Sequence, residues 1–225
     1  FVAILSFTTC LAKNDTSVDG LFPIASQGRQ VWNFNPEWRF CLGDVANAES
    51  VGFDDRSWEV VSTPHCVKLE PAEASGCRNY QGKAWYRKHF VVPANHSEIY
   101  FEAIMGKQQI YINGKLAATH FGGYLPIIVN LDEFGLHKGD SCVVAVMADN
   151  SDDKNYPPGK PQYALDFAYH GGIYRDVWLI AKNDVYITNP QVEDRRDAGI
   201  FVHYANISTH SADVMVDVNV RNVSN

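Results

Sequence analysis

The run Ile110-Tyr111-Ile112-Asn113-Gly114-Lys115-Leu116 constrains this chain more than any other. Asn-Gly between two apolar runs predicts a type I′ hairpin, because both central residues must take positive φ and these two tolerate it best. The same pattern recurs along the sequence: short alternating or aromatic runs are separated by turn residues, and helical periodicity is nearly absent. Strands are expected at Val31 to Leu42, Lys83 to Val92, Ile99 to Ala103, Gln109 to Asn113, Lys115 to His120, Ile127 to Leu131, Cys142 to Ala148 and Ile173 to Ala181. Two antiparallel sheets packed face to face bury such alternating side chains, so the expected fold is all-β, a jelly-roll β-sandwich.

The stretch Asp149 to Tyr163 breaks the pattern with Ser151, Asp152, Asp153, Asn155, Pro157, Pro158, Gly159 and Pro161. It reads as a long loop, and a loop of that length in a compact domain is functional or disordered. After Asn183 the alternation restarts at Val185 to Ile187, Gly199 to Asn206 and Val214 to Val220. An immunoglobulin-like sandwich takes about 100 residues, and only about forty follow, so an incomplete second sandwich is expected. The expected organisation is residues 1–20 as a leader-like or flexible segment, 21–183 as the jelly roll and 184–225 as the start of the second sandwich.

A formal net charge of -7 and the lack of any basic run argue against nucleic acid as a partner. Cys10, Cys41, Cys66, Cys77 and Cys142 fit no zinc spacing and read as buried free thiols. The apolar run Phe1 to Cys10 is too short to span a bilayer. It reads as the tail of a secretory signal, with Cys10 placed like the acylated cysteine of a bacterial lipoprotein and Ala12 to Gly20 as its tether. Export to a bacterial periplasm or outer membrane is the expectation; a mobile chain end is the plainer reading. The Asn-x-Ser/Thr sequons at Asn14, Asn95, Asn206 and Asn222 are taken as chance.

Four segments carry a resemblance. They are Phe53-Asp54-Asp55-Arg56-Ser57-Trp58 with Thr63-Pro64-His65; Arg78-Asn79-Tyr80-Gln81-Gly82 with Trp85-Tyr86-Arg87-Lys88-His89-Phe90; Tyr111 to Lys115 with His120 to Pro126; and Asp166 to Val177, which contains Gly171-Gly172-Ile173-Tyr174-Arg175-Asp176. In this order and spacing the chain resembles the sugar-binding domain of glycoside hydrolase family 2, the β-galactosidases, β-glucuronidases and β-mannosidases. The resemblance covers about Val31 to Ile180 and implies a galactose-binding-like jelly roll, followed by an immunoglobulin-like domain and a (β/α) barrel bearing both catalytic carboxylates. It implies no catalytic residue in this chain.

It further implies that Asp166, spaced from Arg175 as in the family, reaches the active site of the barrel. There it would bind the terminal sugar and, as in some galactosidases, help to hold a sodium ion. A carboxylate suits the role because it accepts hydrogen bonds from two hydroxyls at once; a carboxylate capping local backbone amides is the structural alternative. Asn79 and His170 are lesser substrate-binding candidates, each with a turn role as its alternative, and His65 reads as structural. Trp58, Trp85 and Trp178 read as core anchors. Gly122-Gly123 and Gly171-Gly172 suit sharp bends or close backbone approach. Arg175 and Asp176 read as makers of structural ion pairs. Asp54-Asp55 and Asp152-Asp153 are turn formers, since a retaining glycosidase needs two carboxyls about 5 Å apart across the scissile bond.

The expected function is thus the non-catalytic amino-terminal part of a retaining exo-β-glycosidase, most like a β-galactosidase. A β-glucuronidase is the alternative within the family, favoured by Arg78-Asn79-Tyr80 and Pro157-Pro158-Gly159. A stand-alone carbohydrate-binding module and a purely structural, adhesin-like domain are the alternatives outside it. The expected partners are carbohydrate and the protein's own barrel, with a homo-oligomer of the full-length protein left open. No cofactor is expected for this segment; sodium or magnesium stays open for the full-length enzyme.

Overall fold

The computed structural model describes residues 22–24, 29–69, 79–165, 167, 169–192 and 198–224. Its strands are β1 (Phe22–Ile24), β2 (Gln30–Asn33), β3 (Trp38–Leu42), β4 (Glu59–Val61), β5 (Lys83–Val91), β6 (Ser97–Phe101), β7 (Lys107–Ile112), β8 (Lys115–Phe121), β9 (Ile127–Asn130), β10 (Ser141–Asp149), β11 (Val177–Ala181), β12 (Val185–Ile187), β13 (Ile200–Ala205), β14 (Asp213–Val218) and β15 (Val220–Asn222). A five-stranded sheet in the order β1-β2-β11-β6-β9 faces a six-stranded sheet in the order β4-β3-β5-β10-β7-β8, forming the jelly-roll sandwich expected from the pattern. The last four strands pair two by two, β12 with β15 and β13 with β14. Cys10 and Cys77 lie outside the described residues, as does the whole segment 1–20.

The Asn-Gly hairpin folds as its chemistry requires. Ile112 pairs with Lys115 across the turn, and Asn113 and Gly114 take φ of 47° and 78°. Asn113 also fastens the hairpin to β10, accepting from the Val143 amide at 2.8 Å.

The run Val31 to Leu42 is not one strand, as its pattern predicts, but two strands in different sheets. Pro36 has no N–H to offer a ladder, and Glu37 takes φ of 60°, so the chain crosses between the sheets here. Backbone groups that leave a ladder need other partners. Buried Lys88 on β5 supplies two, placing its ammonium 3.1 Å from the Phe34 carbonyl and 2.5 Å from that of Pro36. Asn35 binds the far side. Its Oδ1 accepts from the Val177 amide at 2.7 Å and the Thr63 hydroxyl at 2.8 Å, while Nδ2 donates to Asp176 at 2.7 Å.

The core between the sheets packs Phe34, Trp38, Phe40, Tyr86, Phe90, Phe101, Ile110 and Leu179. Each such side chain contributes on the order of 1.5–3 kcal/mol on burial. The expected core anchors divide. Trp85 is buried and Trp58 packs beside it, but both belong to a second cluster with Ala48, Ala145 and Met147. Trp178 is a correction: Val177, Leu179 and Ala181 point inward, so Trp178 falls on the opposite face, half-buried, with its indole N–H on Glu102 at 2.9 Å. The central tryptophan is Trp38, fully buried. The thiols also need correction, since Cys142 is buried but Cys41 and Cys66 are only half-buried.

The second cluster explains why β5 is buried on both faces. Arg87, on its outer face, is fully buried and sets Nε 2.8 Å from Asp55 while Nη1 donates to the Ala48 carbonyl. His89, two residues on, holds the same Asp55 oxygen at 2.7 Å. Within the 53–58 segment Phe53 and Trp58 meet at 5.3 Å, and the Arg87 guanidinium lies 5.4 Å from the Phe53 ring centre. Asp54 and Arg56 form a solvent-exposed pair on the other side. Asp55 is therefore more than a turn former.

Burial alone would raise the Asp55 pKa, but hydrogen bonds from Arg87 and His89 outweigh it and hold the carboxyl below the ordinary value. A carboxyl depressed on folding contributes stability that is complete above its unfolded pKa, about 3.9, and is lost as pH falls through the folded value. We expect Asp55→Ala to cost about 3–5 kcal/mol by stranding the buried Arg87, and Asp54→Ala to leave the denaturation midpoint nearly unchanged. Urea denaturation of the two variants, repeated between neutral and acid pH, checks both; equal effects would refute the assignment.

Candidate functional site

Between Asp149, the end of β10, and Val177, the start of β11, the described residues form no strand. The strand expected to begin at Ile173 starts only at Val177, because the residues before it bond sideways. The His65 amide donates to the Ile173 carbonyl at 2.7 Å, that of Val67 to Gly171 at 3.0 Å and that of Met105 to Gly172 at 3.1 Å. Main chain alone thus clamps Gly171-Gly172-Ile173 from two sides.

Close approach explains both glycines. A Cβ on Gly172 would meet the Tyr86 hydroxyl and lie 2.8 Å from the His65 carbonyl oxygen, and its φ is +105°. A Cβ on Gly171 would lie 2.6 Å from Asn150 Nδ2. Asn150 is itself buried. It accepts from the Gly82 amide at 3.0 Å and donates to the Tyr80 carbonyl at 2.7 Å. Under this frame His65 Nδ1 sits 2.9 Å from the Tyr86 hydroxyl, and burial pulls the His65 pKa down. His65 is structural, as expected.

The long loop is wired to the same frame. One Asp152 oxygen receives the Gln81 amide at 2.5 Å, the Gln162 backbone N–H at 3.1 Å and the Tyr169 hydroxyl at 3.3 Å. Asp153 caps Asn155, accepting from its backbone N–H at 2.8 Å. The pair is a loop organiser, not an acid–base couple.

Between these segments opens a cleft of about 340 Å³ lined by Cys66, Met105, Tyr124, Phe167, Tyr169, His170, Tyr174 and Arg175. Its walls are aromatic. The Arg175 guanidinium lies 5.6 Å from the centre of the Tyr174 ring, and the Tyr174 hydroxyl donates to the Gly123 carbonyl. Among the described residues no ion pair joins Arg175 to Asp176; Asp176 Oδ1 instead accepts from Asn35 Nδ2 at 2.7 Å. Burial, then the nearby Asp152 carboxylate, pushes the Tyr169 phenol up to about 12. Burial also raises the Cys66 thiol. Both stay protonated near neutral pH, so the cleft presents rings, one guanidinium and one imidazole, a set suited to binding.

Of the candidates from sequence, Asp166 lies outside the described residues; Phe167, next to it in the chain, lines the cleft. His170 lines it too, with Nδ1 buried and unbonded among the described residues. Asn79 belongs to the same loop cluster but donates its amide to the Tyr169 carbonyl at 3.1 Å, which positions the loop. Asn150, Gln162 and Tyr124 were not among the candidates. Asn and Gln beside turn residues look like any other loop formers, and nothing in the pattern marks Asn150 as a bridge. Among the described residues no group of three or more Asp, Glu, His or Cys side chains could hold a metal ion.

We expect Gly172→Ala to destabilise the chain by at least about 1–3 kcal/mol from backbone strain alone and to disorder the clamp. Calorimetry together with amide exchange at Val67 and Met105 reads this, and unchanged protection at those two amides would refute the clamp.

The family model for the sugar binding domain of glycosyl hydrolases family 2 matches residues 46–183. A β-galactosidase of Thermoanaerobacter pseudethanolicus is 35% identical over 164 residues, covering 71% of this chain and 22% of the relative. A β-glucuronidase of Formosa agariphila is 29% identical over 214 residues, covering 88% of this chain and again 22% of the relative. Among solved structures, a β-glucuronidase of Bacteroides uniformis superposes with a TM-score of 0.68 at 29% identity, over 84% of this chain and 22% of that one. A Bacteroides fragilis protein whose activity is assigned as β-galactosidase gives 0.67 at 30% identity, over 88% and 29%. The chain therefore spans about a fifth to a third of the length of these relatives.

Proposed function

The chain belongs to glycosyl hydrolase family 2 through its sugar binding domain, and from that premise we propose that it is the non-catalytic amino-terminal part of a retaining exo-β-glycosidase acting on terminal β-galactosides. The acid/base and nucleophile carboxylates are then supplied by a barrel in a longer chain, and the loop end of the sandwich forms one wall of the sugar site. The observation that carries this reading is the clamped Gly171-Gly172-Ile173 segment beside an aromatic cleft, inside the span that the family model matches.

In this reading Asp166, which precedes the clamp in the chain, binds the terminal sugar. The carboxylate accepts hydrogen bonds from two sugar hydroxyls, and the rings of the cleft pack on apolar faces of the bound substrate. The wall contributes recognition, and no proton moves on it. The second reading, a β-glucuronidase, is favoured by the sequence Arg78-Asn79-Tyr80 and Pro157-Pro158-Gly159 and by a relative of that name matching 88% of the chain.

Galactoside, glucuronide and mannoside substrates assayed on the full-length protein separate the two sugars. Asp166→Ala there should lower kcat/KM on the order of 10²-fold, as loss of a positioned hydrogen-bonding group does, with the fold unchanged by circular dichroism. Unaltered catalysis would favour a purely structural domain. The 225-residue chain should show no turnover of aryl β-glycosides, and measurable hydrolysis would overturn the proposal. Clear calorimetric binding of galactose by the same chain would favour a binding module.

A further inference from the structure

Between Ala181, the end of β11, and Val185, the start of β12, the chain passes through Lys182-Asn183-Asp184. This connector is fastened to the sandwich at two places. Lys182 donates its amide to the His96 carbonyl at 3.0 Å and sets its ammonium 2.6 Å from Glu98, a buried carboxylate. Asp184, two residues on, faces the His96 imidazole. Its Oδ1 lies 3.5 Å from Nε2, while Nδ1 on the other side of the ring is 2.7 Å from Asp132 Oδ2.

His96 ends the turn between β5 and β6 with φ of 52°. One ring thus stands between a carboxylate of the sandwich and a carboxylate of the connector. A neutral imidazole has one N–H and one lone pair, whereas the imidazolium donates from both nitrogens. Only the charged ring can satisfy both neighbours. The neutral ring keeps its proton on Nδ1, where the contact is shorter, and turns a lone pair toward Asp184. The remaining Asp132 oxygen is buried with no hydrogen-bond partner among the described residues, so that carboxylate leans on His96 for compensation.

We propose that His96 is a proton-operated clasp on the joint between the sandwich and the strands that follow. As imidazolium it ties Asp132 to Asp184; on losing its proton it releases Asp184, and the connector pivots about Lys182. The Lys182–Glu98 pair, closed at 2.6 Å on a buried carboxylate, is the fixed point. A cleft of about 470 Å³ lined by Asn95, His96, Lys182 and Asp184 leaves room for the movement. The other ionisable groups on the elements packed here include Glu133 beside Asp132, Arg221 of β15 opposite Tyr186, the phenol of Tyr186 under the Lys182 ammonium at 4.9 Å, and His137, Lys138 and Asp140. That last loop is held by the Lys138 amide on Asn95 at 2.9 Å and the His137 amide on Asp140 at 2.8 Å. The clasp is closed while the ring carries a proton on each nitrogen and open when Nε2 has lost its own.

The experiment is an imidazole-resolved NMR titration of the full 225-residue chain across the histidine range, about pH 5 to about pH 9, with amide spectra at each point. Ring-by-ring resolution separates His96 from His137. At the acid end both His96 nitrogens should carry protons, and at the basic end Nδ1 alone. The amides of residues 182–185 should move with the same midpoint. Asp184→Asn, on the exposed connector, should leave His96 titrating while those amides no longer follow it, and His96→Gln should abolish their titration. Amides that titrate unchanged in either variant, or that stay still while His96 titrates in the parent chain, overturn the clasp. If His96→Gln does not fold, Asp184→Asn decides alone.

Discussion

Everything in this sandwich depends on one crossing, where the chain leaves one sheet at Asn33 and enters the other at Trp38. A crossing removes backbone groups from two ladders at once, and each must be satisfied inside the protein. Here Lys88 reaches the carbonyls of Phe34 and Pro36 from within the core. Asn35 gathers Val177, Thr63 and Asp176 on the other side. Those contacts fix where β11 begins and where β4 ends, and β11 in turn follows directly on the Gly171–Arg175 segment. The Lys88 nitrogen also lies over ring faces, 4.4 Å from the centre of the Phe34 ring and 5.9 Å from that of Trp38.

Much of this was legible in the residues. Asn113-Gly114 specified a turn with a two-residue register, and alternation located nearly every long strand. The failures have physical causes. Val31 to Leu42 reads as one run because inward-facing residues continue across the crossing, and Pro36 is the only mark of the break. Trp178 reads as a core residue because size and apolarity say nothing about which face of a strand it occupies. At the site, Gly171-Gly172 signalled close approach, whereas the Asn150 bridge gave no signal, since its partners are backbone atoms about seventy residues away that leave no trace in local composition.

Two carboxylate pairs adjacent in sequence show how far position outruns type. Asp54 and Asp55 are chemically identical neighbours. One is in solvent with Arg56; the other lies under a segment that closes over β5 and compensates a buried guanidinium. Asp152 and Asp153 divide likewise, the first tying three groups of the loop and the second closing a local turn. Three of these four carboxylates, Asp55, Asp152 and Asp153, act as fasteners within the fold.

The Gly171-Gly172-Ile173 clamp is made by main-chain atoms on both sides of every bond. Such a frame is indifferent to the side chains that flank it. Residues next to it, at the cleft wall, can drift without disturbing the support beneath them. Relatives named for different sugars match this chain at about 30% identity, and a frame built of main-chain bonds is one that changes of side chain leave standing.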